Sequence, residues 1–248
     1  MSRTAERPRP STTIVPTDQG GDRLVAGALL VAAGVLVVYQ LLAGHVIPPL
    51  AIFAVLTTVI AGALLRRRPR WLLGLAAAVA VLYLGGSVPF VLTNLAHPES
   101  PVSFLAEVLL VLAFVTAIVG VVLRWRDAGD VARRRLVAGA VGIGLLATAV
   151  SLVAAANVDS AARQDGDVPL VTDRSVWPEE VAVTAGGVLW VDNRDPFHHT
   201  FVIDDTEVHE VLAASSAVRI PIELVPGSYR YWCDVPGHES MEGTLHVR

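Results

Sequence analysis

The chain has 248 residues, 53% of them hydrophobic and 17% charged, with a formal net charge of −4. A soluble globular domain carries about a quarter charged residues, so a single water-soluble fold is excluded. Every cationic side chain is an arginine, and a net negative chain without a lysine-rich run gives no footprint for nucleic acid.

The apolar excess lies between residues 24 and 156. Five stretches stand out there, at 24–44, 47–65, 71–95, 103–123 and 136–156. Each is close to the ~20 residues that a helix needs to cross a bilayer core. Helix is the state that satisfies a backbone in lipid, so a five-helix transmembrane domain over 24–156 is expected. Pro89, beside Gly85, Gly86 and Ser87, predicts a kink in the third stretch. Arginine sets the expected orientation. Arg3, Arg7, Arg9 and Arg23 precede the first stretch, RRRPR follows the second, and RWRDAGDVARRR follows the fourth. The two other loops, around HVIPP and AHPESPV, hold no arginine. The positive-inside rule then predicts a cytoplasmic tail over 1–23, an uncleaved signal-anchor in the first stretch and an extracytoplasmic carboxyl-terminal part. Glu107 falls near the outer end of the fourth stretch, where a helix-pairing carboxyl is the plainer reading. His45 and His97 fall at the outer ends of stretches. They are read as interfacial, with a haem or copper role between helices as the sharper alternative.

Residues 157–175 are polar and read as a linker. From 176 to 248 the pattern changes to short β-like runs, VAVTA, VLWVDN, HTFVID, AVRIPIEL, SYRYWC and GTLHV, with turn residues between them. An all-β sandwich or barrel is expected. At this size a bound metal would help to hold it.

The segment YWCDVPGHESMEG holds the only cysteine, Cys233, with His238 and Met241 close behind it. A strand end fixes Cys233, and the DVPGH turn swings His238 back towards it. A fourth donor, His199, opens HTFVID in phase with Phe201 and Ile203. His198 then points the other way. Two imidazoles, a thiolate and a thioether form the donor set of mononuclear blue copper. A closed zinc site usually holds more than one cysteine and no thioether. A cysteine nucleophile, or a chance cluster with Cys233 and Met241 as core, are the remaining readings. His209 and His246 read as surface or strand-end residues.

DNRDPFHHTFVIDD together with YWCDVPGHESMEGTLHV resembles the cupredoxin family, that is plastocyanin, azurin, amicyanin and their membrane-anchored relatives. The C-x4-H-x2-M spacing has a shorter last gap than many relatives. The resemblance covers about residues 176–248. It implies a Greek-key β-sandwich, one copper ion held by His199, Cys233, His238 and Met241, and an electron carrier rather than an enzyme. It also implies a redox partner protein docking on a small apolar rim of Phe197, Val235 and Pro236 around His238. A copper capture or delivery protein, or a membrane protein using this unit as sensor or electron inlet, are the alternatives.

Overall fold

A computed structural model describes residues 19–67, 69–238 and 240–248. These form α1 (Gln19–Ala43), α2 (Pro48–Arg66), α3 (Arg70–Gly86), α4 (Val88–Ala96), α5 (Pro101–Trp125) and α6 (Asp130–Ala156), followed by eight strands. Proline opens α2, α4 and α5, where its fixed φ suits a first turn and its missing N–H leaves nothing unpaired. In the bundle, Val25, Leu29 and Leu36 of α1 pack with Phe114, Ala117 and Val121 of α5. Small residues let these two helices approach: a Cβ at Gly120 would meet Val25 at 3.1 Å.

Helices α1, α2, α5 and α6 are long and apolar enough to cross a membrane, consistent with a multi-pass membrane protein. The expected third span, 71–95, is instead a pair, α3 and α4, bent by 63°. It counts as a fifth span only if the pair crosses as one. Pro89 explains the bend, since it has no N–H for the Gly85 carbonyl and its ring crowds that group. The break itself falls at Ser87, whose hydroxyl donates to the Tyr83 carbonyl at 2.6 Å. The arginine-rich ends converge. Arg124 at the end of α5 pairs with Asp22 at the start of α1 at 3.1 Å. Arg70 at the start of α3 lines a small pocket with Arg124 and Asp127.

The strands are β1 (Val168–Thr172), β2 (Glu180–Val183), β3 (Val188–Asn193), β4 (His199–Ile203), β5 (His209–Leu212), β6 (Ala217–Pro221), β7 (Gly227–Trp232) and β8 (Glu242–Val247). They form a β-sandwich of one sheet ordered β1-β3-β6 and one ordered β2-β8-β7-β4-β5. Leu170, Leu189, Val191 and Ile220 of the first sheet meet Phe201, Ile203, Tyr231 and Leu245 of the second in one buried cluster. Strand β1 lies inside the stretch read as a linker. Its partner β3 runs parallel to it, and Leu170 is fully buried. The residues before β1 are also stitched to the sandwich. Trp190 Nε1 donates to the Ala161 carbonyl at 2.7 Å, and the Ala217 N–H donates to Ser160 Oγ at 3.0 Å. At the opposite end of the bundle from the arginines, the Ala214 N–H donates to Ser100 Oγ at 3.0 Å, joining the sandwich to the start of α5.

Two contacts predict stability effects. Asp167 accepts two hydrogen bonds of 2.8 Å from Arg219, which with the Gln164 N–H hold its carboxyl down at about 2. An unfolded aspartate titrates near 3.9. This pair therefore stabilises the fold above about pH 4, and its contribution is lost as pH falls towards 2. Asp167→Asn should lower the denaturation midpoint at pH 7 and flatten its fall between pH 4 and 2, read by circular dichroism. Gly243 is the second case. A Cβ there would run into the Pro178 carbonyl and the Tyr231 hydroxyl, which are themselves hydrogen-bonded. Gly243→Ala should cost about 1–3 kcal/mol by overpacking, measured by urea unfolding.

Candidate metal centre

The centre begins where β3 ends. Asn193 is buried, and its Nδ2 donates to the carbonyls of Phe197 (2.8 Å), Ala213 (2.9 Å) and Leu212 (3.2 Å). Its Oδ1 accepts the Asp195 N–H at 3.0 Å. One amide thus closes the loop 194–198 against the end of β5 and sets where β4 starts. Asp195 in turn accepts the backbone N–H groups of Arg174 and Ser175 at 2.6 and 2.9 Å. Both of those residues have positive φ, 55° and 56°. Asp195 Oδ2 also lies 2.9 Å from His199 Nε2. The carboxylate accepts a hydrogen bond from the Nε2–H and leaves the His199 Nδ1 lone pair free.

Strand β7 ends at Trp232 and delivers Cys233 at its exit. The Cys233 N–H donates to the Met241 carbonyl, the Met241 N–H to the His238 carbonyl, and the His238 N–H to the Val235 carbonyl. Gly237 turns the chain with φ +85°, a left-handed conformation natural to glycine. These bonds fold the loop back, so that His238 Nδ1 lies 3.8 Å from Cys233 Sγ. His199 Nδ1 lies 3.9 Å from the same sulfur and 3.1 Å from His238 Nδ1. A point equidistant from all three atoms is about 2.1 Å from each, and first-row metal bonds to imidazole and thiolate measure about 2.0–2.3 Å. The donors fit a single ion. Cys233 and His199 are both fully buried, while His238 is partly open. Met241 is 1% exposed and packs in the same buried cluster as Cys233.

The electrostatics suit a soft cation. Burial pushes the Cys233 thiol up, but the His199 and His238 rings and the Thr200 N–H, 3.4 Å from the sulfur, outweigh it and bring it down to about 5. The side chain is a thiolate at neutral pH, the form that binds metal. Burial pulls the His199 ring down. Asp195 and the Cys233 sulfur pull it up, and the net direction is up.

His198 points away from these donors, towards the bundle. It is 1% exposed, and burial pulls its ring down to about 3, so it is neutral. Its Nδ1 lies 3.3 Å from Ser103 Oγ of α5, and its ring lies over His97 with centroids 4.5 Å apart. His97 Nδ1 lies 2.8 Å from Glu99. His45 is exposed and its Nδ1 meets the Ala43 carbonyl. Asn94 of α4 donates to Glu107 Oε2 at 3.3 Å, the helix pairing expected of that carboxyl. His209 pairs with Asp234 at 2.9 Å, and His246 meets Ser228 at 3.0 Å, both at exposed positions.

The expected docking rim is corrected. Phe197 is 4% exposed, with its ring 4.9 Å from that of Tyr39 in α1. Val235 is also buried. A Cβ on Gly237 would meet Phe90 of α4 at 3.2 Å. The face that carries His238 is turned towards the helices, because the apolar loop side chains bury against the apolar bundle end. Phe197 and Val235 offer no open surface to a soluble protein, while Pro236 and His238 stay partly exposed.

Residues 143–247 match the family model for a cupredoxin-like domain. A solved copper(I) structure of an amicyanin mutant is 18% identical and covers 34% of this chain and 85% of its own, with a TM-score of 0.30. A reduced amicyanin mutant is 20% identical and covers 38% and 88%, also at 0.30. A copper-containing nitrite reductase from Thermus scotoductus SA-01 is 23% identical and covers 37% of this chain and 24% of its own, at 0.30. No curated protein matches. The β-sandwich in the carboxyl-terminal part of the chain is a cupredoxin-like domain, and its histidine–cysteine–histidine cluster implies copper.

Proposed function

We propose that this chain is a membrane-anchored type 1 copper protein that carries out one-electron transfer at the outer face of the cytoplasmic membrane. The observation that carries the reading is the convergence of Cys233 Sγ with Nδ1 of His199 and of His238 on one point. His199, Cys233 and His238 are the residues proposed to hold the ion, and Met241 would add a thioether beside them. When bound, copper supplies a centre that alternates between Cu(II) and Cu(I). The chain's share is preorganisation. Asp195 holds His199 in one tautomer, the loop bonds hold His238, and the Thr200 N–H stabilises charge on the sulfur. Donors held this firmly need not rearrange when the charge changes. Two of the three donors are fully buried, which favours keeping the ion over handing it on.

Of the boundaries expected from the sequence, 1–23 (of which 1–18 lie outside the described residues) and 24–156 are proposed unchanged, whereas the β-unit starts before 176, because β1 at Val168–Thr172 belongs to its first sheet. Orientation is supported by arginine. Arg23, Arg66, Arg67, Arg70, Arg124 and Arg133 to Arg135 all flank one end of the bundle, which the positive-inside rule assigns to the cytoplasm. The chain enters α3 at that end and starts α5 at the sandwich end, so α3 and α4 together serve as one crossing.

Cu(II) added to the purified full-length protein should give one tightly held ion per chain and an intense visible charge-transfer band. Ascorbate should bleach it and a mild oxidant restore it. Binding without such a band would overturn the blue-copper reading.

A further inference from the structure

Between the bundle and the sandwich lies a cavity of about 810 Å³. Its walls are mainly apolar, with Phe53, Tyr83, Phe90 and Leu110 from the helices. His238 lines it from the sandwich side. Glu107 and His198 line it, and each carries a buried polar atom that, among the described residues, has no hydrogen-bond partner: Glu107 Oε1 and His198 Nε2. Both side chains are more than nine-tenths buried. They are neighbours, since His198 sits on Ser103 and Ser103 is one helical turn from Glu107 on α5. Ser103 Oγ donates to the Ser100 carbonyl at 3.2 Å, so it accepts from His198 Nδ1 and leaves Nε2 as an acceptor. A buried polar group without a partner costs about 1–3 kcal/mol, which marks this wall as built for a ligand with donors.

The mouth narrows the choice of ligand. Val46, Leu82 and Phe90 line the cavity and are exposed on segments of the membrane bundle. An apolar mouth admits a molecule from lipid. A fatty acid would set a carboxylate against Glu107, and a plain hydrocarbon would leave both acceptors unmatched. A neutral flat ring with hydroxyl groups and an apolar tail meets every wall.

The geometry points to this cavity as a binding site for a lipid-soluble hydroquinone, with Glu107 and His198 taking hydrogen bonds from its hydroxyls. Its role as electron donor rests on the copper reading above, through His238 on the opposite wall. The balance is then defined. Oxidation of one hydroquinone to the quinone releases two electrons and two protons. With copper held by His199, Cys233 and His238, the centre would take up one electron at a time, so the two electrons would leave in two steps, each followed by transfer to a one-electron acceptor protein. The protons leave the hydroxyl oxygens for the polar wall at Glu107 and pass on to water.

The test uses metal-free full-length protein in lipid nanodiscs and a decyl-substituted benzohydroquinone, with bound ligand measured by equilibrium dialysis. Saturable binding at one per chain is expected. Glu107→Leu should weaken it about tenfold. Thr93→Trp, which fills the cavity from its lining, should weaken it more than thirtyfold while leaving the copper band of the loaded protein unchanged. Absence of saturable binding, or wild-type affinity in both variants, overturns the proposal. Binding without a copper band leaves the cavity assignment standing and sinks the copper reading. A copper band without binding does the reverse.

Discussion

Cys233→Ser should yield a chain that folds, inserts and shows no visible charge-transfer band with Cu(II). The band arises from sulfur-to-metal charge transfer, so a hydroxyl in the same place cannot reproduce it. The affinity loss should exceed the 10–100-fold that follows damage to an outer-shell partner, because a ligand itself is removed and a serine hydroxyl is not deprotonated at neutral pH. The sulfur also accepts the Thr200 N–H. Serine oxygen can accept the same bond, so the metal-free variant should lose little stability. Absorption spectroscopy, competitive copper titration and urea unfolding of the metal-free protein read the three outcomes. A variant that kept the band would remove Cys233 from the centre.

The second large effect is expected at Asp195, which touches no proposed metal position. Asp195→Ala releases the ring proton of His199, which is then free to sit on either nitrogen and to rotate. Copper affinity should fall about 10–100-fold while the band survives at saturation. The same change leaves the N–H groups of Arg174 and Ser175 without their acceptor, at about 1–3 kcal/mol each where water cannot reach. Those residues hold positive φ without being glycine, a conformation that needs outside support. Because Arg174 is exposed and Ser175 half-buried, water replaces part of the lost acceptor, and metal-free Asp195→Ala should be destabilised by about 1–2 kcal/mol by urea unfolding. Unaltered affinity in a stably folded variant would show that packing alone orients His199.

The donors were legible in the sequence where the geometry is local. Cys233 and His238 are joined by a four-residue turn, and residue types and spacing suffice to place them together. His199 was legible through strand phase, since β4 buries His199, Phe201 and Ile203 on one side. Asn193 and Asp195 were not singled out. Their partners, Arg174 and Ser175 on one side and Leu212 and Ala213 on the other, are brought near only by the completed sandwich. Strand β1 was missed for a similar reason. It is five residues long, follows polar chain, and takes its partner from β3 in parallel, a pairing that leaves no hairpin signal. The direction in which the metal face looks was misread. That depends on His198 meeting Ser103 and Phe197 meeting Tyr39, contacts made across the junction of two unlike halves.

The stitching of Ser160 and Ala161 onto the sandwich has a consequence for reach. With α6 ending at Ala156, only a handful of residues separate helix from anchored backbone. A leash that short gives the β-unit no arc to sweep. Under the proposed function it does not ferry charge between distant stations, and whatever takes electrons from it has to come to this fixed spot beside the bundle.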